Sequence, residues 1–345
     1  MKNATFKVDL ISDTATRPTA EMLAAMAAAP LGDEQKKEDP TTTYFEANVA
    51  SVLGQDKALF VPSATLANQI ALALHAGAGD EILCHETAHV YHYEGGATSM
   101  ISRGQVFPLG GARGFFRGAD VKSALRADDP HFPRSRVVVV ENTSNGGGGG
   151  VWPDAYFTEI VDVCRSHGLA LHIDGARLMN AAVAAGRPAA HWGARADTVQ
   201  VCFSKGLGCP FGAILAMSAD LYPRARRLKQ ALGGALRQSG IITAAMQYAL
   251  DHHVDRLDDD HRRARAFADE LSRYDGVHVA PVETNLVFFD ITRPKLRATD
   301  LCTALLEQGV RVATARDGRV RACFHLDVDD EALEYAIQCL RLILS

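Results

Sequence analysis

The feature that most constrains this 345-residue chain is a succession of short apolar runs, most of them stopped by Gly, Asp or Pro. Residues 58–61, 81–84, 137–140, 170–173, 198–203 and 213–217 read as strands, most of them such runs. Apolar runs without polar alternation are the mark of strands covered on both faces. Residues 20–29, 44–53 and 65–76 read as helices, and further helical stretches separate the runs. Strands joined through helices run parallel in one sheet. The expectation is an α/β large domain with a mostly parallel sheet. After Gly240 the pattern changes. Residues 241–273 are mostly helical and highly charged from 255 to 265. Strand-like runs follow at 277–280, 286–290, 310–313 and 320–324, with helices at 299–308 and from 330. That reads as a smaller α+β C-terminal domain, with the boundary near 250: residues 1–250, which include the N-terminal segment, and 251–345. There is no internal repeat, and the one low-complexity piece is the glycine run 146–150.

Composition narrows the function classes. Apolar residues make up 47% and charged residues 22%, which rules out disordered and collagen-like chains. The net charge of −5 gives no basic excess for nucleic acid or an anionic membrane. No run approaches the length of a membrane span. Residues 1–14 alternate polar and apolar and lack the apolar centre of a signal peptide. The seven cysteines are scattered and form no CxxC, so neither a disulfide framework nor a cysteine zinc site is expected. A cytoplasmic protein is the expectation.

Lys205 sits in Phe203-Ser204-Lys205-Gly206-Leu207-Gly208, just after an apolar run. A lysine there either snorkels out of a turn or serves as a Schiff-base amine. Asp174 ends another run and precedes Gly175-Ala176-Arg177. Ligands of open α/β sheets bind beyond the carboxyl ends of the strands, where both residues would meet. A carboxylate that keeps a pyridine nitrogen protonated makes pyridoxal phosphate a better electron sink, so the pair has a joint reason. Alone, Asp174 would be a helix cap. Ser63, Ala64 and Thr65 open a helix, where hydroxyls and backbone N–H groups form either a phosphate cradle or a plain cap. His85-Glu86-Thr87-Ala88-His89 matches the HExxH zinc pattern. No third ligand is evident, however, and a ring stacked on a cofactor suits His89 better. Arg177, Arg237 and Arg321 are candidate binders of a carboxylate, or structural ion pairs.

Taken together these residues resemble the threonine aldolases, pyridoxal-phosphate enzymes of the aspartate-aminotransferase-like fold. The resemblance runs over about residues 8–340. It is carried by Leu10-Ile11-Ser12-Asp13-Thr14, Glu38-Asp39-Pro40-Thr41, Leu59-Phe60-Val61-Pro62-Ser63 and Ala88-His89. It continues with His172-Ile173-Asp174-Gly175-Ala176-Arg177, Ser204-Lys205-Gly206, the 233–240 stretch, and Arg321 with His325-Leu326-Asp327. The resemblance implies a seven-stranded, mostly parallel sheet. It makes Lys205 the Schiff-base lysine, Asp174 the partner of the pyridine nitrogen and His89 the ring-stacking residue. Ser12, Arg177 and Arg321 become binders of the substrate carboxylate. Ser63, Ala64, Thr65 and Ser204 fall at the cofactor, with Arg177 beside it, and Arg237 is expected to reach the phosphate across a subunit interface. A homodimer or homotetramer with shared sites and a small amino-acid substrate is implied.

The chain departs from the family pattern in three places. Ala64 replaces a glycine, Lys36 and Lys37 replace an aromatic and a glycine, and Ser144 replaces the histidine linked to the substrate β-hydroxyl. The base for that hydroxyl then falls to a water, His85 or His89, with a water ranked first. The loss of bulk at Ser144, with the glycine run, is expected to make room for a larger β-substituent. The activity implied is cleavage of β-hydroxy-α-amino acids to glycine and an aldehyde. A β-eliminating lyase or transaldolase on the same fold is the alternative. A non-catalytic binding protein and a zinc hydrolase are the readings from other classes.

Overall fold

The structure is a computed structural model that describes residues 6–345. The first five residues, part of the stretch read as lacking a leader, lie outside the described residues. Its strands are β1 (Val8–Asp9), β2 (Lys57–Val61), β3 (Glu81–His85), β4 (Gln105–Leu109), β5 (Ser135–Glu141), β6 (Ala170–Gly175) and β7 (Thr198–Cys202). They continue with β8 (Ala213–Met217), β9 (Val277–Val279), β10 (Leu286–Ile291), β11 (Val310–Arg311), β12 (Ala313–Thr314) and β13 (Val320–Cys323).

Seven of them form the central sheet, in the order β2-β8-β7-β6-β5-β3-β4. All neighbours are parallel except β8, which is antiparallel to both β2 and β7. The runs 58–61, 137–140 and 213–217 are buried throughout, as strands with helices on both faces must be. The edge strand β4 has no counterpart among the expected runs. It contains Pro108, which lacks a backbone donor, and an edge position is where a strand tolerates that.

The helix expected at 44–53 begins earlier, as Pro40–Leu53. The buried Asp39 caps it, its Oδ1 accepting the Thr42 N–H at 2.8 Å, while Gly54 ends it in the left-handed region. Pro40 stands in the first turn, where no N–H is needed. The stretch 241–273 divides into two helices, Gly240–His252 and Leu257–Leu271.

The change of core falls inside the second of these helices. Leu257 belongs to the large core around the central sheet, whereas Ala264, Phe267 and Leu271 belong to the C-terminal one. The run 310–313 also divides. β11 pairs in parallel with β1, while β12 joins β13 in the antiparallel sheet β12-β13-β10-β9. Val8 and Leu10 are therefore buried in the C-terminal core, although the N-terminal segment was expected with the large domain.

Gly147 and Gly149 of the glycine run do not open space. A Cβ on Gly147 would lie 1.9 Å from the Arg113 carbonyl oxygen, and one on Gly149 (φ +74°) would lie 2.5 Å from Thr284 Oγ1. Thr284 Oγ1 donates to the Gly149 carbonyl at 2.7 Å and Arg319 Nη2 to the Gly146 carbonyl at 3.1 Å. The run is a close seam between the two cores. Among the described residues no helix is long and apolar enough to cross a membrane.

Candidate active site

A cleft of about 970 Å³ opens at the carboxyl ends of β3, β5, β6 and β7 and extends under the C-terminal sheet. Lys205, Asp174, His89, Ala64, Arg177, Arg321 and Ser12 all line it, although they come from six separate stretches of chain. Strand direction explains the convergence. Glu141 and Asp174 are paired in register near the ends of β5 and β6, and Lys205 lies three residues beyond β7. The lysine backbone is pinned, its carbonyl accepting from Thr16 Oγ1 at 2.8 Å and from Gly208 N at 2.9 Å. Among the described residues its amine has no hydrogen-bond or ion-pair partner.

Asp174 is buried. Its Oδ2 accepts from Asn68 Nδ2 at 2.9 Å and its Oδ1 from Ala176 N at 3.2 Å. His89 donates its backbone N–H to Glu141 Oε2 at 2.7 Å, and its Nδ1 meets Glu94 Oε1 at 2.9 Å. A nitrogen of His89 and oxygens of Glu94 and Asp174 lie within 4.8 Å of one another. Burial opposes charging of the His89 ring. The Glu94 hydrogen bond and the charges of Asp174, Glu94 and Glu141 outweigh it and raise the pKa. Burial and the Asp174 charge push Glu141 up to about 7, against the pull of the Asn145 and His89 N–H groups.

Arg177 is tied to a partner that sequence reasoning had left without a role. Its Nε and Nη2 form a buried bidentate pair with Asp13, at 2.6 and 2.7 Å. Burial alone would raise the Asp13 carboxyl, but Arg177, with Lys205 and Arg321, holds it well below the usual range. Only Nη1 of Arg177 remains for the cleft, and it rests 3.3 Å from Asn145 Oδ1. Arg321 is freer. Its Nη1 has a long 3.5 Å contact to the Ile11 carbonyl, and its buried Nε has no partner. Thr143 Oγ1, on the cleft wall, is likewise buried without a partner.

Several expected residues lie elsewhere. His85 ends β3 whereas His89 opens a four-residue helix, so the two rings share no helical face. His85 is buried off the cleft, its Nδ1 on Thr87 Oγ1 at 2.8 Å and its Nε2 on the Gly111 carbonyl at 3.0 Å. This removes both the zinc-hydrolase geometry and His85 as a base. Ser144 is also buried off the cleft, with Oγ accepting from Gly147 N at 3.2 Å, and that position faces the 111–114 loop instead. Ser63 spends its hydroxyl on capping the helix Ala64–His75, accepting the Leu66 N–H at 3.2 Å. Thr65 flanks the same helix start, and of the three only Ala64 lines the cleft. Ser204 lies 3.4 Å from Cys202 Sγ, outside the lining, and Arg237 points outward to Asp33 at 3.1 Å.

Asn68, Glu94, Glu141, Thr143 and Asn145 are site residues that the sequence left without a role. Asn68 carried a signal, as one of two adjacent amides, with Gln69, in a helix rich in Ala, Leu and Ile. Glu141 and Asn145 flank Ser144 in a stretch where only that serine drew notice.

The fold and this cleft place the chain among the α/β enzymes of pyridoxal-phosphate fold type I. The Beta-eliminating lyase family model matches residues 9–294. The chain is 38% identical, over 97% of its length and 97% of the relative's, to a probable low-specificity L-threonine aldolase 2 of Arabidopsis thaliana. A solved Leishmania major threonine aldolase superposes with a TM-score of 0.85 at 21% identity, covering 98% of this chain and 100% of that one. A solved serine palmitoyltransferase holding pyridoxal phosphate as an internal aldimine matches at 0.72 and 17% identity, covering 99% and 91%. Those two structural likenesses are of fold. The chain belongs to the beta-eliminating lyase family, in the group of the low-specificity L-threonine aldolases.

Proposed function

We propose that the protein is a pyridoxal-phosphate-dependent aldolase that cleaves β-hydroxy-α-amino acids such as threonine, allo-threonine or phenylserine to glycine and an aldehyde. The observation that carries this reading is the unpartnered Lys205 amine sharing one cleft with the buried Asp174 carboxylate. The family and its structural neighbours are pyridoxal-phosphate enzymes, and the cleft fits that group. It offers a free amine, an acid backed by Asn68, a histidine ring and a helix N-terminus. Lys205 would hold the cofactor's aldehyde carbon, Asp174 its ring nitrogen, His89 a ring face, and the backbone around Ser63, Ala64 and Thr65 its phosphate. When bound, the cofactor supplies an electron sink next to the substrate's α-carbon.

The protein's own part is positioning and proton handling. Arg321 has the buried, unpaired guanidinium nitrogen that suits the substrate carboxylate, with Arg177 Nη1 and Ser12 as secondary contacts. Asp13 holds Arg177 rigid, so the carboxylate meets a fixed frame and the bond to be broken keeps one orientation. With His85 and Ser144 off the cleft, the β-hydroxyl proton passes to a water or, while the His89 ring is neutral, to His89 Nε2. Its Nδ1 is already committed to Glu94.

A β-eliminating lyase is the second reading, favoured by the name of the matching family model. The test is a panel of threonine, allo-threonine and phenylserine, assayed with and without added pyridoxal phosphate. Cofactor-dependent release of aldehyde and glycine supports the aldolase, whereas ammonia and an oxo acid support elimination. Lys205→Ala should abolish both the visible cofactor absorption and turnover. An absorption band that survives would refute the lysine assignment.

We also infer a homo-oligomer. The capping residue Ser63 is exposed in the single chain, as are the apolar Leu23, Leu31 and Ile241. A monomer by light scattering would refute this. A reducing, cytoplasmic setting is supported by seven cysteines that are all free.

A further inference from the structure

A chain of buried hydrogen bonds runs into Asp174 from the far end of the helix Ala64–His75. Asn68 and His75 lie two turns apart on that helix and so face the same way. His172 and Asp174 lie two residues apart on β6 and share a face of the sheet, and His172 pairs in register with Thr198 on β7. The helix thus lays two polar side chains over two polar positions of adjacent strands. Asn68 Nδ2 stands 2.7 Å from Glu94 Oε1 and 2.9 Å from Asp174 Oδ2. Asn68 Oδ1 is 3.1 Å from His172 Nε2, His172 Nδ1 is 2.9 Å from Thr198 Oγ1, and that oxygen is 3.1 Å from His75 Nε2.

Donor counting leaves one arrangement. Two carboxylate oxygens face the Asn68 nitrogen, so both amide protons point at them and the amide oxygen must accept. Among the described residues its one partner is His172, which therefore donates from Nε2. His172 Nδ1 is then the acceptor, receives the Thr198 hydroxyl proton, and leaves the Thr198 oxygen to accept from His75. Burial lowers the pKa of His172 to about 4, against the Asp174 charge, so the ring is neutral at ordinary pH. If Asn68 flipped, its oxygen would face two carboxylates and its N–H groups would face the His172 Nε2–H, so His172 adds a second penalty against the flip at the other end of the amide.

We propose that His172 is a positioning residue for Asp174: its Nε2–H locks the Asn68 amide in the one orientation that donates to the Asp174 oxygen, and so fixes the carboxylate presented to a cofactor ring nitrogen. The proposal rests on the reading of the cleft as a pyridoxal-phosphate site, and the test keeps the two apart.

The first measurement needs no cofactor. Nitrogen-15 NMR of the imidazoles in the apoprotein should show His172 neutral, protonated on Nε2 and bare on Nδ1 at pH 7. The opposite tautomer overturns the proposal. The second measurement compares affinity for pyridoxal phosphate with affinity for its analogue carrying carbon in place of the ring nitrogen. His172→Phe should weaken pyridoxal phosphate roughly 10-fold and leave the carbon analogue within about twofold, the scale of a lost supporting hydrogen bond. His172→Gln keeps an N–H donor and should restore most of the affinity. Thr198→Val, which frees the tautomer, should move affinity in the same direction by a smaller factor. If His172→Phe does not fold, the contrast between Thr198→Val and His172→Gln carries the test. Equal loss of both ligands would assign His172 a general packing role, and loss of neither would remove its role altogether; either overturns the proposal. Failure of the unmodified protein to bind pyridoxal phosphate would instead overturn the cofactor reading, and this proposal with it.

Discussion

Asp13→Asn is the sharpest test of how the substrate frame is held. The wild-type carboxylate is fully buried and accepts from Arg177 Nε at 2.6 Å, Arg177 Nη2 at 2.7 Å and Asn285 Nδ2 at 3.2 Å. An amide in its place turns an N–H toward a guanidinium that has only donors, and leaves the Arg177 charge buried without its counter-ion. Breaking a buried pair from one side costs about 3–5 kcal/mol. Replacing both partners by apolar side chains of similar volume is far milder, so Asp13→Leu with Arg177→Met should unfold later in urea than Asp13→Asn alone. The assay is urea unfolding followed by circular dichroism and tryptophan fluorescence together, because two cores need not melt as one. The pH dependence adds a check. The folded Asp13 carboxyl is held well below its ordinary 3.8, so its contribution is complete above that pH and is lost only as pH falls through the lower folded value. Between pH 5 and 8 the difference between wild type and Asp13→Asn should be constant. A cost under about 1 kcal/mol, or a double variant less stable than the single one, would refute the account of a buried pair that must be kept whole.

Three further outcomes are expected. Ser144→His should not raise cleavage of threonine and should cost about 1–3 kcal/mol, because position 144 faces the 111–114 loop, where overpacking has no outlet. A higher turnover number for threonine would place residue 144 in the cleft after all. Asp39→Ala should cost about 2–4 kcal/mol by thermal or urea unfolding, since Asp39 accepts the N–H groups of Thr42, Gly32 and Gly240 from a buried position. A change within experimental error would show that the cap is dispensable. Glu141, raised from 4.5 to about 7, favours folding in its neutral form, so stability should decline as pH climbs across that interval. Glu141→Gln should flatten the decline in urea midpoints, and an unchanged slope would assign the titration to another group.

What was legible in the sequence follows from where the information is local. Strands buried on both faces announce themselves as apolar runs, and the fold class rests on those. β4 escaped because Pro108 breaks the run, and the edge place that excuses the proline is a property of the whole sheet. Lys205 and Asp174 were legible because each stands at the carboxyl end of a buried strand, and the carboxyl ends of parallel strands converge wherever the chain has wandered between them. Orientation was not legible. Whether residue 85, 144 or 204 faces the cleft depends on a single bond rotation or a neighbouring loop, and all three turn away.

The supporting polar residues were hidden for a different reason. Asp13 and Arg177 are 164 positions apart, and Asn68 and Asp174 are 106. No local pattern pairs them. Yet a rule recovers them once the fold is known: a polar side chain buried in an apolar element must find its partner inside the protein. Asn68 with Gln69 in a helix rich in Ala, Leu and Ile, and His172 with Asp174 in a strand that also holds Leu and Ile, break the local apolar pattern. The helix and the strand lie against each other, and Asn68 and His172 meet at 3.1 Å. Exceptions to apolar patterning on elements that pack together therefore mark the polar scaffold behind a site. In this chain that reasoning leads from Asp174 through Asn68 to His172, and it would have done so without any knowledge of the chemistry in the cleft.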